Sequence, residues 1–432
     1  MGNKKEIFKF LIKEFQEMEP PEIKGRDLKL PESTTKIITI SGPRRVGKTY
    51  YFYQLIQELK KKVPIERIIY INFEDDRLFP LKLEDLNSLV EAYFELYPEN
   101  KKKEIYCFFD EIQNIKNWEM FVRRIYDKEK VKIFITGSSS KLLSREIATS
   151  LRGRTLNYQI YPLSFKEFLR FKNIKIEKDF IYSQKRFQIK KLFEEYVVFG
   201  GFPEVVLEKE NLKLSVLKNY YDLTIYRDLV ERFAIRNVDF LKSLIKYSLT
   251  NVSNLFSANT FFRSLEKPLK PARDTFLEYL SYLEEIELIF LVPLFSYSLK
   301  VQQVNPKKMY AIDNGLRNAV SFIFSRDYGR LLENLTFIEL KRRGKDVYYY
   351  KGKKECDFLI KERSKVTQAI QVLEDLSGEN KKREIEGLIE ALERFGLKQG
   401  LILTKDEEKE AEKIVSGKVI KILSFWQWLL VD

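Results

Sequence analysis

Apolar residues along the chain recur with two different periods, and the switches between them mark out its elements. Lys36 to Ser41 (Lys-Ile-Ile-Thr-Ile-Ser) is a short β-rich run of the kind buried in a parallel sheet. A helical pattern follows from Tyr50 to Lys61. Four more strand-like runs come at Arg67 to Phe73, Ile105 to Asp110, Val131 to Thr136 and Thr155 to Tyr161, with helical segments between most of them. Such alternation predicts βαβ crossovers and an α/β fold built on a parallel sheet.

Beyond that sheet the pattern changes. Phe165 to Asn211 reads helical, with a turn at Gly200-Gly201 and Pro203. From Asn237 to Gly315 come helices, an amphipathic helix from Pro271 to Glu285, then strands Leu288 to Ser296 and Lys308 to Ile312. The last hundred residues predict a helix from Leu331 and strands Asp346 to Tyr350, Cys356 to Ile360 and Gln368 to Val372. A helix Lys381 to Phe395 and a strand Gly400 to Thr404 close the series. Met1 to Glu32 reads as a basic-acidic helix with a Pro-bearing lead-in, and carries no assigned chemistry. A chain of 432 residues exceeds what one hydrophobic core organises. The expected domains are 1–32, a core 33–164, a helical lid or linker 165–235, a helical and stranded domain 236–325, and a small α/β domain 326–432.

Composition narrows the chemistry. Histidine is absent, which removes imidazole bases, Ser/His/Asp and Cys/His catalysis, and His-containing zinc sites. The two cysteines, Cys107 and Cys356, fall within predicted strands and read as buried thiols. Lys/Glu richness with little Cys or Met resembles heat-adapted composition. Apolar stretches such as Ile286 to Phe295 are too short to cross a bilayer, so a cytoplasmic protein without a membrane partner is expected. A formal charge of +14 favours a polyanionic partner, although single runs such as Lys101 to Lys103 also serve simply to solubilise helix ends.

The strand Lys36 to Ser41 runs into Gly42-Pro43-Arg44-Arg45-Val46-Gly47-Lys48-Thr49, a complete G-x-x-x-x-G-K-[ST] motif, and then into a helix starting at Tyr50. Its glycines let successive amides point at phosphates, and the helix adds its positive end. Lys48 is expected to reach the β/γ-phosphates of ATP and Thr49 to ligate Mg²⁺. Asp110 and Glu111 leave the strand Ile105 to Asp110 at its carboxy-terminal edge, where nucleotide binds in such sheets. The pair resembles a Walker B motif, in which Asp110 holds the Mg²⁺ shell and Glu111 orients and deprotonates water. Gln113 is a polar neighbour. A fourth strand ending in Thr136-Gly137-Ser138 resembles the additional-strand class of P-loop ATPases, whose γ-phosphate sensor falls on Thr136 or Ser138; capping of the next helix is a compatible role.

Taken with Ile135-Thr-Gly-Ser-Ser-Ser140 and Leu151-Arg-Gly-Arg154, these motifs resemble the archaeal AAA+ family ATPases over nearly the whole chain. The resemblance implies that Arg152 or Arg154 completes a neighbouring subunit's site in a homo-oligomer, against a plainer role in surface salt bridges. Gly200-Gly-Phe-Pro-Glu204 and Tyr310-Ala-Ile-Asp-Asn-Gly315 are similar to landmarks of that family's carboxy-terminal module. Residues 236–325 resemble a winged helix, with Lys267, Lys270 and Arg273 facing a groove and Lys300 and Lys307 near the wing. A structural or protein-binding winged helix is the alternative to a DNA-binding one. The last domain resembles the PD-(D/E)XK nuclease fold, with Glu333, Asp357 and Gln371 at its metal-site positions. Gln371-Val372-Leu373 supplies neither the carboxylate nor the lysine of that motif, which points to a degenerate site. The function expected is Mg²⁺-dependent ATP hydrolysis coupled to DNA; the alternatives are an ATP-gated protein-interaction switch and an ATP-dependent nuclease.

Overall fold

Five parallel strands carry the first half of the chain: β1 Ile37–Ser41, β2 Ile68–Asn72, β3 Ile105–Asp110, β4 Val131–Gly137 and β5 Thr155–Gln159. Their order is β2-β3-β4-β1-β5, so β4 lies between the P-loop strand and the strand of the acidic pair. A parallel α/β core is the arrangement expected from the sequence; that β4 is the inserted strand, with β2 at the sheet edge, comes from the structure. The computed structural model describes residues 4–31, 33–137, 151, 153–176, 183–266, 270–321, 328–374, 380–405 and 411–431. The chain divides into two compact units, Met1–Ile160 and Tyr161–Asp432, and the finer boundaries expected at 165, 236 and 326 fall within the second.

Every residue of β1 is buried, as a near-continuous apolar run requires when helices cover both faces of a parallel sheet. Helices α1 Lys4–Glu17, α2 Lys48–Lys60, α3 Leu86–Leu96 and α4 Trp118–Lys128 do the covering. On α1 the buried side chains are Phe8, Leu11, Ile12 and Phe15, spaced three and four apart on one face. Lys5 and Lys9 on the same helix both reach Glu95 of α3 at 2.7 Å. Across β3 and β4, Phe108 and Phe134 are register partners whose rings stack at 4.5 Å. Among the described residues no helix is long and apolar enough to cross a membrane, and Cys107 and Cys356 are free, buried thiols.

The second unit begins with helices Phe165–Phe171, Lys185–Phe199, Pro203–Leu207 and Glu210–Leu223. The first is closed by a capping box in which Ser164 and Glu167 satisfy each other's backbone amides. Helices Val238–Thr250, Ala258–Ser264 and Arg273–Glu285 accompany a three-stranded antiparallel sheet of β6 Leu255–Phe256, β7 Ile289–Val292 and β8 Lys307–Ala311, ordered β6-β8-β7. Next come helix Tyr328–Arg342 and a six-stranded sheet of β9 Asp346–Lys351, β10 Glu355–Glu362, β11 Lys365–Leu373, β12 Gln399–Thr404, β13 Ala411–Val415 and β14 Lys418–Ser424. Its order is β13-β14-β12-β11-β10-β9; β9 to β11 pair antiparallel, while β11, β12 and β14 run parallel. Helix Asn380–Arg394 packs on β10, β11 and β12. The strands β13 and β14 escape the sequence reading, which ends its last strand at Thr404.

Two motifs far apart in sequence meet in this unit. Asp313 caps the helix Asn314–Val320 through Leu316 N at 3.1 Å and accepts Gly201 N at 2.7 Å. A Cβ on Gly200, whose φ is 72°, would sit 2.0 Å from the Asp313 carboxylate, and one on Gly315 would sit 2.0 Å from the Phe199 carbonyl oxygen. Because that second obstacle is backbone, Gly315→Ala is expected to force main-chain separation. The expected cost is about 1–3 kcal/mol, the usual range for overpacking. Differential scanning calorimetry should show a lowered transition, and an unchanged midpoint would mean that the contact yields freely.

Candidate active site

The loop between β1 and α2 is bent by backbone conformations that its sequence permits. Gly42 has φ 152° and Gly47 has φ 92°, and a Cβ on Gly42 would lie 2.3 Å from the Ile160 carbonyl oxygen. Arg45 also adopts a left-handed φ of 66°. The buried Lys48 folds back so that its Nζ donates to the carbonyls of Gly42 (3.1 Å) and Pro43 (3.2 Å) and lies 3.3 Å from Glu111 Oε1. Arg44 pairs with Glu74 at 3.2 Å. Val46 is buried, and its carbonyl accepts from Arg26 at 2.7 Å. Tyr50 is exposed, its ring edge-on to Tyr53.

Asp110 lies at the end of β3 and is fully buried. Thr49 Oγ1 donates to its Oδ2 at 2.6 Å, Tyr70 OH donates to the same oxygen at 3.0 Å, and Thr136 Oγ1 donates to Oδ1. Burial pushes this carboxyl up, and the hydroxyls of Thr136 and Thr49 oppose it. The next residue, Glu111, is held at φ 54°, ψ 39°, with its amide donating to Thr136 Oγ1 at 3.0 Å. A left-handed glutamate is strained, a device common at functional sites, and here the turn aims the carboxylate back at the P-loop lysine. Burial works to raise Glu111, but Lys48 and Gln113, assisted by Arg44, hold it below the ordinary carboxylate range. The pair is thereby split into a desolvated Asp110 and a charge-stabilised Glu111. The Thr49 hydroxyl and Asp110 carboxylate are adjacent hard oxygen donors, a set that suits Mg²⁺.

The structure thus brings Gly42, Pro43, Arg44, Arg45, Val46 and Gly47 onto one loop, Lys48 and Thr49 onto the first turn of α2, and Asp110, Glu111 and Thr136 opposite them. Ser138 and Arg152 lie outside the described residues, as does Lys267. Arg154 is bound to Asp127 of its own chain at 3.2 Å. Tyr70 and Arg26 join the site without a sequence signal that would have selected them. Tyr70 sits in an ordinary apolar strand, and Arg26 precedes the motif by sixteen residues in an irregular segment.

The residues of the expected degenerate site also converge. Lys308 Nζ, from β8, lies 3.0 Å from Glu333 Oε1, 2.8 Å from Glu355 Oε1 and 2.8 Å from Asp357 Oδ1. Asp357 also accepts Val372 N at 3.0 Å, while Gln371 accepts Asp357 N at 3.2 Å and donates to Glu384. Glu333, Asp357 and Gln371 are therefore neighbours as expected, whereas Lys308, Glu355 and Glu384 are additions from the structure.

Comparisons with known proteins agree with the P-loop geometry. Residues 34–169 match the family described as AAA domain, and residues 190–327 match a domain of unknown function (DUF8612). An uncharacterized protein of Methanocaldococcus jannaschii is 41% identical across 100% of this chain and 96% of its own length. One from Haemophilus influenzae is 34% identical across 78% of this chain and 82% of its own. Solved structures align at low identity. Aeropyrum pernix ORC1 in complex with DNA matches with 11% identity and a TM-score of 0.31, covering 73% of this chain and 91% of that one. AMPPCP-bound DnaA from Aquifex aeolicus gives 16% and 0.23, covering 65% and 86%. With an intact P-loop inside a stretch that matches the AAA domain, and relatives in an archaeon and a bacterium, the chain belongs to the family that the M. jannaschii and H. influenzae proteins represent.

Proposed function

We propose that this protein hydrolyses Mg²⁺-ATP at the P-loop and uses the cycle to change how residues 161–432 engage nucleic acid. The observation carrying the hydrolytic part is the Glu111 carboxylate, kept ionised by Lys48 and Gln113 beside the Thr49–Asp110 pair. In this reading the Gly42–Thr49 loop cradles the phosphates, and Lys48 leaves the Gly42 and Pro43 carbonyls for the β/γ-phosphate oxygens. Glu111 accepts a proton from water as its oxygen bonds to the γ-phosphorus and the bridging oxygen leaves with ADP. Thr49 and Asp110 would hold Mg²⁺, whose charge would neutralise that on the phosphate oxygens. Thr136, bonded to Asp110 and to the Glu111 amide, registers the γ-phosphate through both. Arg154 acts on a neighbouring subunit only by releasing Asp127.

Nucleic acid is favoured by the +14 charge and by the element order between 238 and 311. Helix, short strand, helix, helix and an antiparallel strand pair joined through the short helix Leu299–Val304 follow the order of a winged helix, and Arg273 opens the helix that would enter a groove. The decisive measurement is steady-state ATP turnover with and without single- and double-stranded DNA over a salt series. Stimulation that fades as salt rises is the expected result, and turnover indifferent to DNA at low salt would reject the coupling.

One observation favours the alternative of a protein-interaction switch. The wing exposes Tyr297, Leu299 and Val304, at 78%, 71% and 71%. Apolar residues grouped there suit a protein partner better than a phosphate backbone. In that case turnover is slow, and a partner is retained only in the ATP state.

A further inference from the structure

Lys308 stands on the central strand of a three-stranded sheet, two residues from Tyr310 and therefore on the same face. Its side chain is 2% exposed, its ammonium has three N–H donors, and three carboxylates surround it at 2.8–3.0 Å. Tyr310 OH donates to Glu333 Oε1 at 2.7 Å, the same oxygen that Lys308 takes. Every donor of Lys308 has an acceptor, and the other Asp357 oxygen is held by the Val372 amide.

Three carboxylate oxygens from a helix, Glu333, and a strand, Glu355 and Asp357, converging on one point are the ligand set of a hard divalent cation. Here the point is a nitrogen. The cluster borders a cavity of about 720 Å³ whose rim carries Arg330, Lys351, Lys353 and Arg383. We infer that Lys308 is a built-in cation occupying the position of a divalent metal, so that the Glu333–Glu355–Asp357 site is filled by the chain itself and takes no Mg²⁺ or Mn²⁺. Since the lysine comes from β8, the cation is also a tie between the three-stranded sheet and the six-stranded one. Hydrolysis of a phosphodiester at this cavity is then not expected, because the site has no ion with which to activate water. This assignment stands on the carboxylate geometry and is independent of whether the protein binds nucleic acid.

The test uses nucleotide-free, full-length protein and Mn²⁺ as probe, with free Mn²⁺ followed by electron paramagnetic resonance. Wild type and Asp357→Asn should bind Mn²⁺ alike. Lys308→Met should gain one further Mn²⁺ per chain that wild type lacks. Lys308→Met combined with Asp357→Asn should lose it. An Asp357-dependent Mn²⁺ site in wild type would overturn the inference, as would a folded Lys308→Met that gains none. If Lys308→Met folds only when Mn²⁺ is supplied and not with Na⁺, the ion is replacing the ammonium as inferred. Failure to fold with either means that Lys308 serves as more than a cation, and the inference falls.

Discussion

Glu111→Gln is expected to lower ATP turnover by about 10²–10⁴-fold, the usual contribution of a positioned general base, while nucleotide affinity stays within a few-fold of wild type. The amide keeps the size of the side chain and its contact with Gln113, but it has no charge to offer Lys48 and no basicity to offer water. The variant should therefore accumulate bound ATP. Phosphate release and equilibrium binding of a fluorescent ATP analogue, measured on the same sample, separate the two effects. Turnover within tenfold of wild type would remove Glu111 from its assigned role.

Lys48→Ala should act on binding instead. Truncating one partner of a buried, hydrogen-bonded charge pair costs about 2–5 kcal/mol, roughly 30- to several-thousand-fold in Kd for ATP. The same change has a second, pH-dependent consequence. In wild type, Glu111 is held below its ordinary range, so it contributes stability at pH values above that range, lost as pH falls through its folded-state value. Without Lys48, burial is no longer opposed by its main counter-charge, and the Glu111 value moves upward. The variant should thus be most destabilised near neutral pH, and the gap in Tm should close as the carboxylate is protonated in acid. A Tm difference that stays constant from pH 7 to pH 4 would show that Glu111 does not sense Lys48.

The P-loop site was almost entirely legible in the sequence because its parts are local. Gly42 to Thr49 are contiguous, and Asp110-Glu111 terminate a strand whose apolar run announces it. The place of β4 between β1 and β3 was not legible, because strand order depends on contacts across the sheet. What local pattern did not carry was contact across the chain. Arg26 reaches the P-loop through one carbonyl, and Tyr70 looks like any strand tyrosine until its hydroxyl is seen on Asp110. The same holds for the second cluster: Glu333 and Asp357 were named from the sequence and lie together, but Lys308, which joins them, is 25 and 49 residues away in the chain. The strand β13 was overlooked for a different reason. Its Glu412 and Lys413 interrupt the apolar run, and its Ile414 is 80% exposed.

The clasp between Gly201 and Asp313 bears on how the chain acquires its shape as it is made. Those residues are 112 positions apart, and Asn314 and Asn318 bond back across 117 and 120 positions to Val197 and Val198. Loop closure over such spans is slow and must be met before the contacts repay it. The first unit completes its sheet with β5 by residue 159, so it can condense while the ribosome is still working. The helices from Lys185 to Leu223, by contrast, must wait for a hundred further residues before their partners emerge, and during that interval their apolar faces are the part of the nascent chain most in need of a chaperone.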